Sequence, residues 1–152
     1  MKAIVVYGST AGNTQFLSEY VRLGLVDGGC ETEIESVKGI DFAKMLSYDL
    51  VVLGSSTWNL GKEQGQLQHD WRERFEEFKG LNFEGKRVGV FGVGHYHYTF
   101  TARAADILAE VVKSNNGVLL EPIFKVDDVV DLFGENIRAW AHGLCLSADL
   151  TV

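Results

Sequence analysis

The sequence predicts a doubly wound α/β domain, a parallel sheet with helices on both faces. Two observations carry this prediction. The apolar runs at residues 3–7 and 50–53 show no polar alternation, the pattern of strands buried on both sides. Strand-like and helix-like segments then alternate to the end of the chain. At 152 residues the chain suits one domain, residues 1–152, with room for a full core. Its hydrophobic share of 46% and charged share of 23% are ordinary for a globular protein. No apolar run approaches the ~20 residues needed to span a bilayer, and Met1-Lys2-Ala3 leads into a strand without a signal-peptide pattern, so a cytoplasmic location is expected. The net charge of −7 argues against nucleic acid and anionic membrane as partners and favours a protein with a basic face. Cys30 and Cys145 lack C-x-x-C spacing and a neighbouring His cluster, so both are expected as free thiols, with no metal site.

The first strand, 3–7, runs into Gly8-Ser9-Thr10-Ala11-Gly12-Asn13-Thr14. A helix is predicted over 15–27, where Phe16, Leu17, Tyr20, Val21 and Leu25 share one face. A small-residue turn between a strand and a helix N-terminus is an anion site, because the turn's N–H groups and the helix dipole converge there. Ser9, Thr10, Asn13 and Thr14 can each donate a hydrogen bond, and none is cationic. A Walker loop needs a Lys, absent between Gly8 and Gln15, and the spacing G-x-x-x-G is not the dinucleotide fingerprint. What remains is a loop that wraps one terminal phosphate in neutral donors, more donors than helix capping needs. The run from Tyr7 to Thr14 resembles the phosphate loop of the flavodoxins, with its T/S-x-T-G-N-T core. The resemblance implies FMN as the cofactor.

Residues 30–37 alternate Glu31, Glu33 and Glu35 with Thr32, Ile34 and Ser36, which reads as a half-exposed edge strand. A short helix capped by Asp41 is expected over 41–46, then the third strand, 49–54. Residues 55–61 are expected as a loop beyond its carboxyl end, where ligands of open parallel sheets sit. Ser56 and Thr57 can add donors on the phosphate side. Trp58 is a large apolar plane in an exposed loop, suited to an isoalloxazine ring, although it could also fold back on its own loop. At Asn59 the family commonly has Gly, and the resemblance implies a peptide there, Asn59-Leu60, that flips with the flavin's redox state. Asn reaches positive φ at modest cost.

A third helix is predicted over 66–79, its Leu67, Trp71, Phe75 and Phe78 forming a core stripe. The fourth strand, 87–92, leads to the loop Val93-Gly94-His95-Tyr96-His97-Tyr98-Thr99-Phe100. By the resemblance this loop faces the other side of the flavin, with Tyr98 stacked on the ring and Tyr96 as the alternate. The family often has acidic residues after Gly94 and after the Trp. Here His95 and Asn59-Leu60-Gly61-Lys62 stand in those places, which should raise the hydroquinone couple and make it pH-dependent. A helix is expected over 102–115, a fifth strand over 118–126 kinked at Pro122, and a last helix near 131–146 with Ile137, Trp140, Ala141 and Leu144 inward.

The resemblance spans essentially the whole chain, in the short form without an insertion in the fifth strand, as in the Desulfovibrio-type members. It implies a five-stranded sheet in the order 2-1-3-4-5. It also implies a low-potential carrier of single electrons on non-covalently bound FMN, working with a reductase and an acceptor oxidoreductase, as a monomer. Cofactor contacts are expected from Ser9, Thr10, Ala11, Gly12, Asn13, Thr14, Ser56, Thr57, Trp58, Asn59, Leu60, Gly61, Val93, Gly94, His95, Tyr96 and Tyr98, with no catalytic side chain. The alternative on the same fold is an FMN-dependent NAD(P)H:quinone-type reductase, whose usual insertions the compact chain lacks. A receiver-type signalling module would need an acidic pair after strand one and an Asp ending strand three, and has neither here.

Overall fold

The computed structural model describes residues 1–10, 12–60, 63–94, 102–126 and 133–150. In chain order these form β1 (Lys2–Gly8), α1 (Asn13–Asp27), β2 (Glu31–Ser36), α2 (Phe42–Met45), β3 (Leu50–Leu60), β4 (Glu63–Leu67), α3 (His69–Glu73), α4 (Phe75–Lys79), β5 (Arg87–Val93), α5 (Arg103–Ser114), β6 (Val118–Leu119), β7 (Phe124–Val126) and α6 (Gly134–Leu150). Strands β2, β1, β3, β5 and β6 lie side by side in that order, all parallel. With β4 and β7 off this path, the order is the expected 2-1-3-4-5.

Side chains of a strand alternate between faces, and here both faces are covered. β1 sends Ile4 and Val6 to one side and Ala3 and Val5 to the other; β3 does the same with Val51 and Leu53 against Leu50 and Val52. The first side packs on Trp71, Phe78, Leu108 and Val112 from α3, α4 and α5. The second packs on Leu17, Val21 and Leu25 of α1 and on Ile137, Ala141 and Leu144 of α6. All eight of these strand residues are fully buried, which accounts for the missing polar alternation. β2 is the edge strand, and its carboxylates are partly paired: Lys44 Nζ lies 3.2 Å from Glu35, and the Tyr48 hydroxyl donates to Glu33. Asp41 caps α2 as expected, accepting from Ala43 N at 2.9 Å. Among the described residues no helix is long and apolar enough to cross a membrane.

Four expectations are corrected. Residues 55–60 are not a loop: β3 runs on to Leu60 and pairs antiparallel with β4, Thr57 opposite Leu67 and Trp58 opposite Gln66. That pairing takes Gln66 and Leu67 from the predicted third helix, which starts at His69 and is broken at Arg74. The Arg74 guanidinium is drawn to the carbonyls of Val37, at 2.9 Å, and Ile40. The fifth strand is interrupted between Leu119 and Phe124; Pro122 has no N–H to give a ladder. Finally, Cys30 and Cys145 are not free thiols but a disulfide across 115 residues of sequence. The packing of α6 against α1 brings the two together, which their isolation in sequence could not show.

Candidate functional site

The register of the central strands builds the site. Gly8 stands beside Ser55, and Val93 beside Ser56, so β1 and β5 end level with each other while β3 runs on past them toward β4. The chain order reverses between β2 and β3 on either side of β1, which is where an open α/β sheet leaves a crevice. Three segments leave the sheet there: the turn after β1, the β3–β4 arm, and residues 93–94 at the end of β5.

The turn after β1 has the make-up of an anion cradle. Gly12 holds φ at +90°, a left-handed conformation open to Gly at little cost, and stands at the N-cap of α1. No side chain caps that helix, so its first N–H groups are left for another acceptor. Ser9 Oγ accepts from Gly12 N at 3.1 Å, bracing the turn from inside. Thr10 and Asn13 are exposed, while Thr14 is fully buried with its Oγ1 lacking any hydrogen-bond partner. A buried hydroxyl without a partner is costly and points to a ligand that completes it. Ala11 lies outside the described residues.

On the β3 arm, Ser56 Oγ accepts from the Trp58 indole N–H at 2.9 Å, fixing a half-buried ring beside the sheet end. Thr57 faces a different task from the expected one: it is buried, and its Oγ1 accepts from Ala104 N at 3.1 Å, serving the start of α5. The backbone at Asn59 and Leu60 stays in β3, and the pairing with β4 is irregular between Trp58 and Leu60. Val93 is buried at the end of β5, and Gly94 N donates to Val126 O at 2.8 Å. Gly61, His95, Tyr96, His97 and Tyr98 lie outside the described residues.

The sequence reading missed Gln68. It is buried beneath the turn, and its Nε2 donates to Thr10 Oγ1 at 3.1 Å. Its backbone N donates to Ser55 Oγ at 3.1 Å, so one residue ties the turn after β1 to the middle of β3. Its place just before a helix start was the signal, hidden by a helix predicted to begin at Gln66. The described groups with displaced pKa values stand elsewhere. The hydrogen bond from Arg138 holds Asp27, at the far end of α1, below its ordinary value. Hydrogen bonds across the β2 edge raise Tyr48, through Glu33, and Lys44, through Glu35. The arrangement offers neutral donors for an anion and a flat aromatic beside them.

Comparison with known proteins agrees with this geometry. The flavodoxin family model matches residues 5–140. The chain is 32% identical over 144 residues to a flavodoxin of Maridesulfovibrio salexigens, covering 94% of this chain and 96% of that one. It is 29% identical to probable flavodoxin 2 of Bacillus subtilis, over 84% of this chain and 82% of the other. Among solved structures, oxidised flavodoxin 1 of Bacillus cereus superposes with a TM-score of 0.84 at 22% identity, over 97% of this chain and 98% of that one. A flavodoxin from the domain Archaea gives 0.82 at 20% identity, over 98% and 99%. These last two likenesses are of fold.

Proposed function

The chain belongs to the flavodoxin family, and on that premise we propose that it carries single electrons at low potential between redox enzymes on non-covalently bound FMN. Bound there, FMN supplies the reversible uptake of electrons. The protein's part is to hold it, shape its surroundings and present it to partners. The observation that carries the reading is the buried, unpartnered Thr14 Oγ1 at the uncapped start of α1. With Ser9, Thr10, Asn13, Ser56 and the N–H groups of the turn, it makes a cradle for a phosphate.

These donors are neutral. They meet the phosphate's charge with hydrogen bonds and the helix dipole, and add no cation that would favour a further negative charge nearby. Trp58 would cover one face of the ring, with Tyr98, or Tyr96 as the alternate, on the other. The backbone at Asn59, Gly61 and 93–98 would meet the ring's edges. His95 stands where many members have an acidic residue, so the second reduction is proposed to be easier than in those members and to vary with pH; a potential left unchanged by His95→Asp would count against this. Partners are a reductase and an acceptor oxidoreductase, met transiently by the acidic monomer through electrostatic steering.

An anaerobic reductive titration followed by visible absorption tests the carrier reading. Two successive one-electron steps are expected. Passage from oxidised to fully reduced protein in a single two-electron step would contradict it.

A further inference from the structure

We infer that Gln68 is the positioning residue of the phosphate loop, holding the Thr10 hydroxyl so that its one proton is turned toward the bound anion. The inference rests on the reading that this loop takes the phosphate of FMN. Gln68 is 2% exposed, and every polar atom of its side chain is engaged. Its Oε1 accepts from Asp70 N at 2.8 Å. Its Nε2 donates to Asp70 Oδ2 at 3.1 Å and to Thr10 Oγ1 at 3.1 Å.

This pattern admits one orientation of the amide. The reverse would set the amide oxygen against the Asp70 carboxylate and the NH2 against the Asp70 N–H. Asp70 therefore fixes Gln68 as a donor toward Thr10. A threonine hydroxyl has one proton and two acceptor positions. Once an acceptor position is filled from below by Gln68, the proton is left for a group on the other side of the loop. A hydroxyl that accepts one hydrogen bond is also the better donor in the next.

The fold makes room for this arrangement. A Cβ at Gly8 would strike Gln68 Oε1 and the Trp71 ring, so only glycine there lets the amide lie under the turn. Trp71 is itself pinned, its Nε1 donating to Gly54 O at 2.9 Å. The Gln68 backbone is pinned by Ser55 Oγ. The amide thus reports the position of β3 at Gly54 and Ser55, and of α3, to the loop after β1.

A merely structural role, capping α3 through Asp70 N, would affect binding of any flavin alike. The test is to titrate apoprotein with FMN and with riboflavin, which lacks the phosphate, for wild type and Gln68→Met, following flavin fluorescence. Methionine keeps the length and packing and removes the hydrogen bonds. FMN affinity should fall about tenfold to a hundredfold, the worth of a hydrogen bond to a charged group, while riboflavin affinity moves by less than about threefold. On a Thr10→Ala background, Gln68→Met should alter FMN affinity by less than about threefold, because no hydroxyl remains to orient. An unchanged ratio of FMN to riboflavin affinity overturns the positioning role and leaves the cofactor reading standing. A wild-type chain that takes up no FMN overturns both. Should Gln68→Met fail to fold, the wild-type apoprotein answers alone: its Gln68 side-chain amide resonances should shift as inorganic phosphate is added, and stationary resonances overturn the inference.

Discussion

Thr14 carries a buried hydroxyl without a hydrogen-bond partner, which costs about 1–3 kcal/mol where nothing completes it. Thr14→Val retains the shape and removes the unmet group. It should stabilise the apoprotein by about 1 kcal/mol in thermal unfolding and weaken FMN binding by about tenfold or more; a less stable apoprotein would contradict the assignment. Gly12 gives the opposite sign. Nothing lies within 4 Å of a Cβ built there, but its φ of +90° disfavours any side chain. Gly12→Ala should therefore destabilise the fold by about 1 kcal/mol through backbone strain alone, seen as a lower Tm without loss of core packing in near-UV circular dichroism. The donors of residues 9–14 were legible in the sequence because their chemistry is local: one strand, one turn and one helix start in a row. Gln68 was not, because its meaning comes from Thr10, 58 residues away in sequence. Thr57 shows the same limit, since nothing local announces that its hydroxyl serves Ala104 N.

Among the elements, Arg74 decides why one predicted helix is two. It stands between α3 and α4, its N donating to Trp71 O and its O accepting from Phe78 N, and its guanidinium meets the Val37 and Ile40 carbonyls, Glu77 and the face of Phe42 at 4.2 Å. Arg74→Ala should cost about 2 kcal/mol, and Arg74→Lys should recover little, because an ammonium has no second nitrogen to hold Glu77 while the first meets the two carbonyls, and no flat face to lie on Phe42; chemical denaturation of the three proteins checks this. Arg138 ties α6 to α1 through two bonds to Asp27, at 2.7 and 3.1 Å. The Asp27 pKa is depressed in the fold, so the pair's stabilisation is present above the unfolded value near 3.8 and is lost as pH falls through the folded one. Asp27→Asn should flatten that part of the acid limb of a stability–pH curve. Hydrophobic periodicity revealed the aromatic stripe and the two-faced sheet, since both follow from burial. It could not reveal the β3–β4 hairpin, since residues 61–66 offer no apolar side chain to show a period, nor the Cys30–Cys145 disulfide, whose partners lie 115 residues apart.

For the whole molecule, a sheet covered on both faces leaves its strand ends as the place for a ligand, and the ends of β1 and β5, level with Ser55 and Ser56 of β3, bring three chain segments there. The fold class was legible because unbroken apolar strands demand that cover; the strand order came only with the resemblance carried by the loop after β1. The net charge of −7 adds a prediction of encounter: reduction by a redox partner with a basic face should slow as ionic strength rises from about 0.01 to 0.15 M, over which the screening length falls from about 30 to 8 Å. A rate indifferent to salt in stopped-flow measurement would speak against acidic docking. The central claim, that the turn after β1 is a neutral-donor cradle for the FMN phosphate, is tested most directly by titrating the apoprotein with FMN and following flavin fluorescence. The account predicts saturable quenching at one FMN per chain, suppressed by Thr14→Val. Flavin fluorescence that stays unquenched, with a protein left colourless after dialysis, would contradict it.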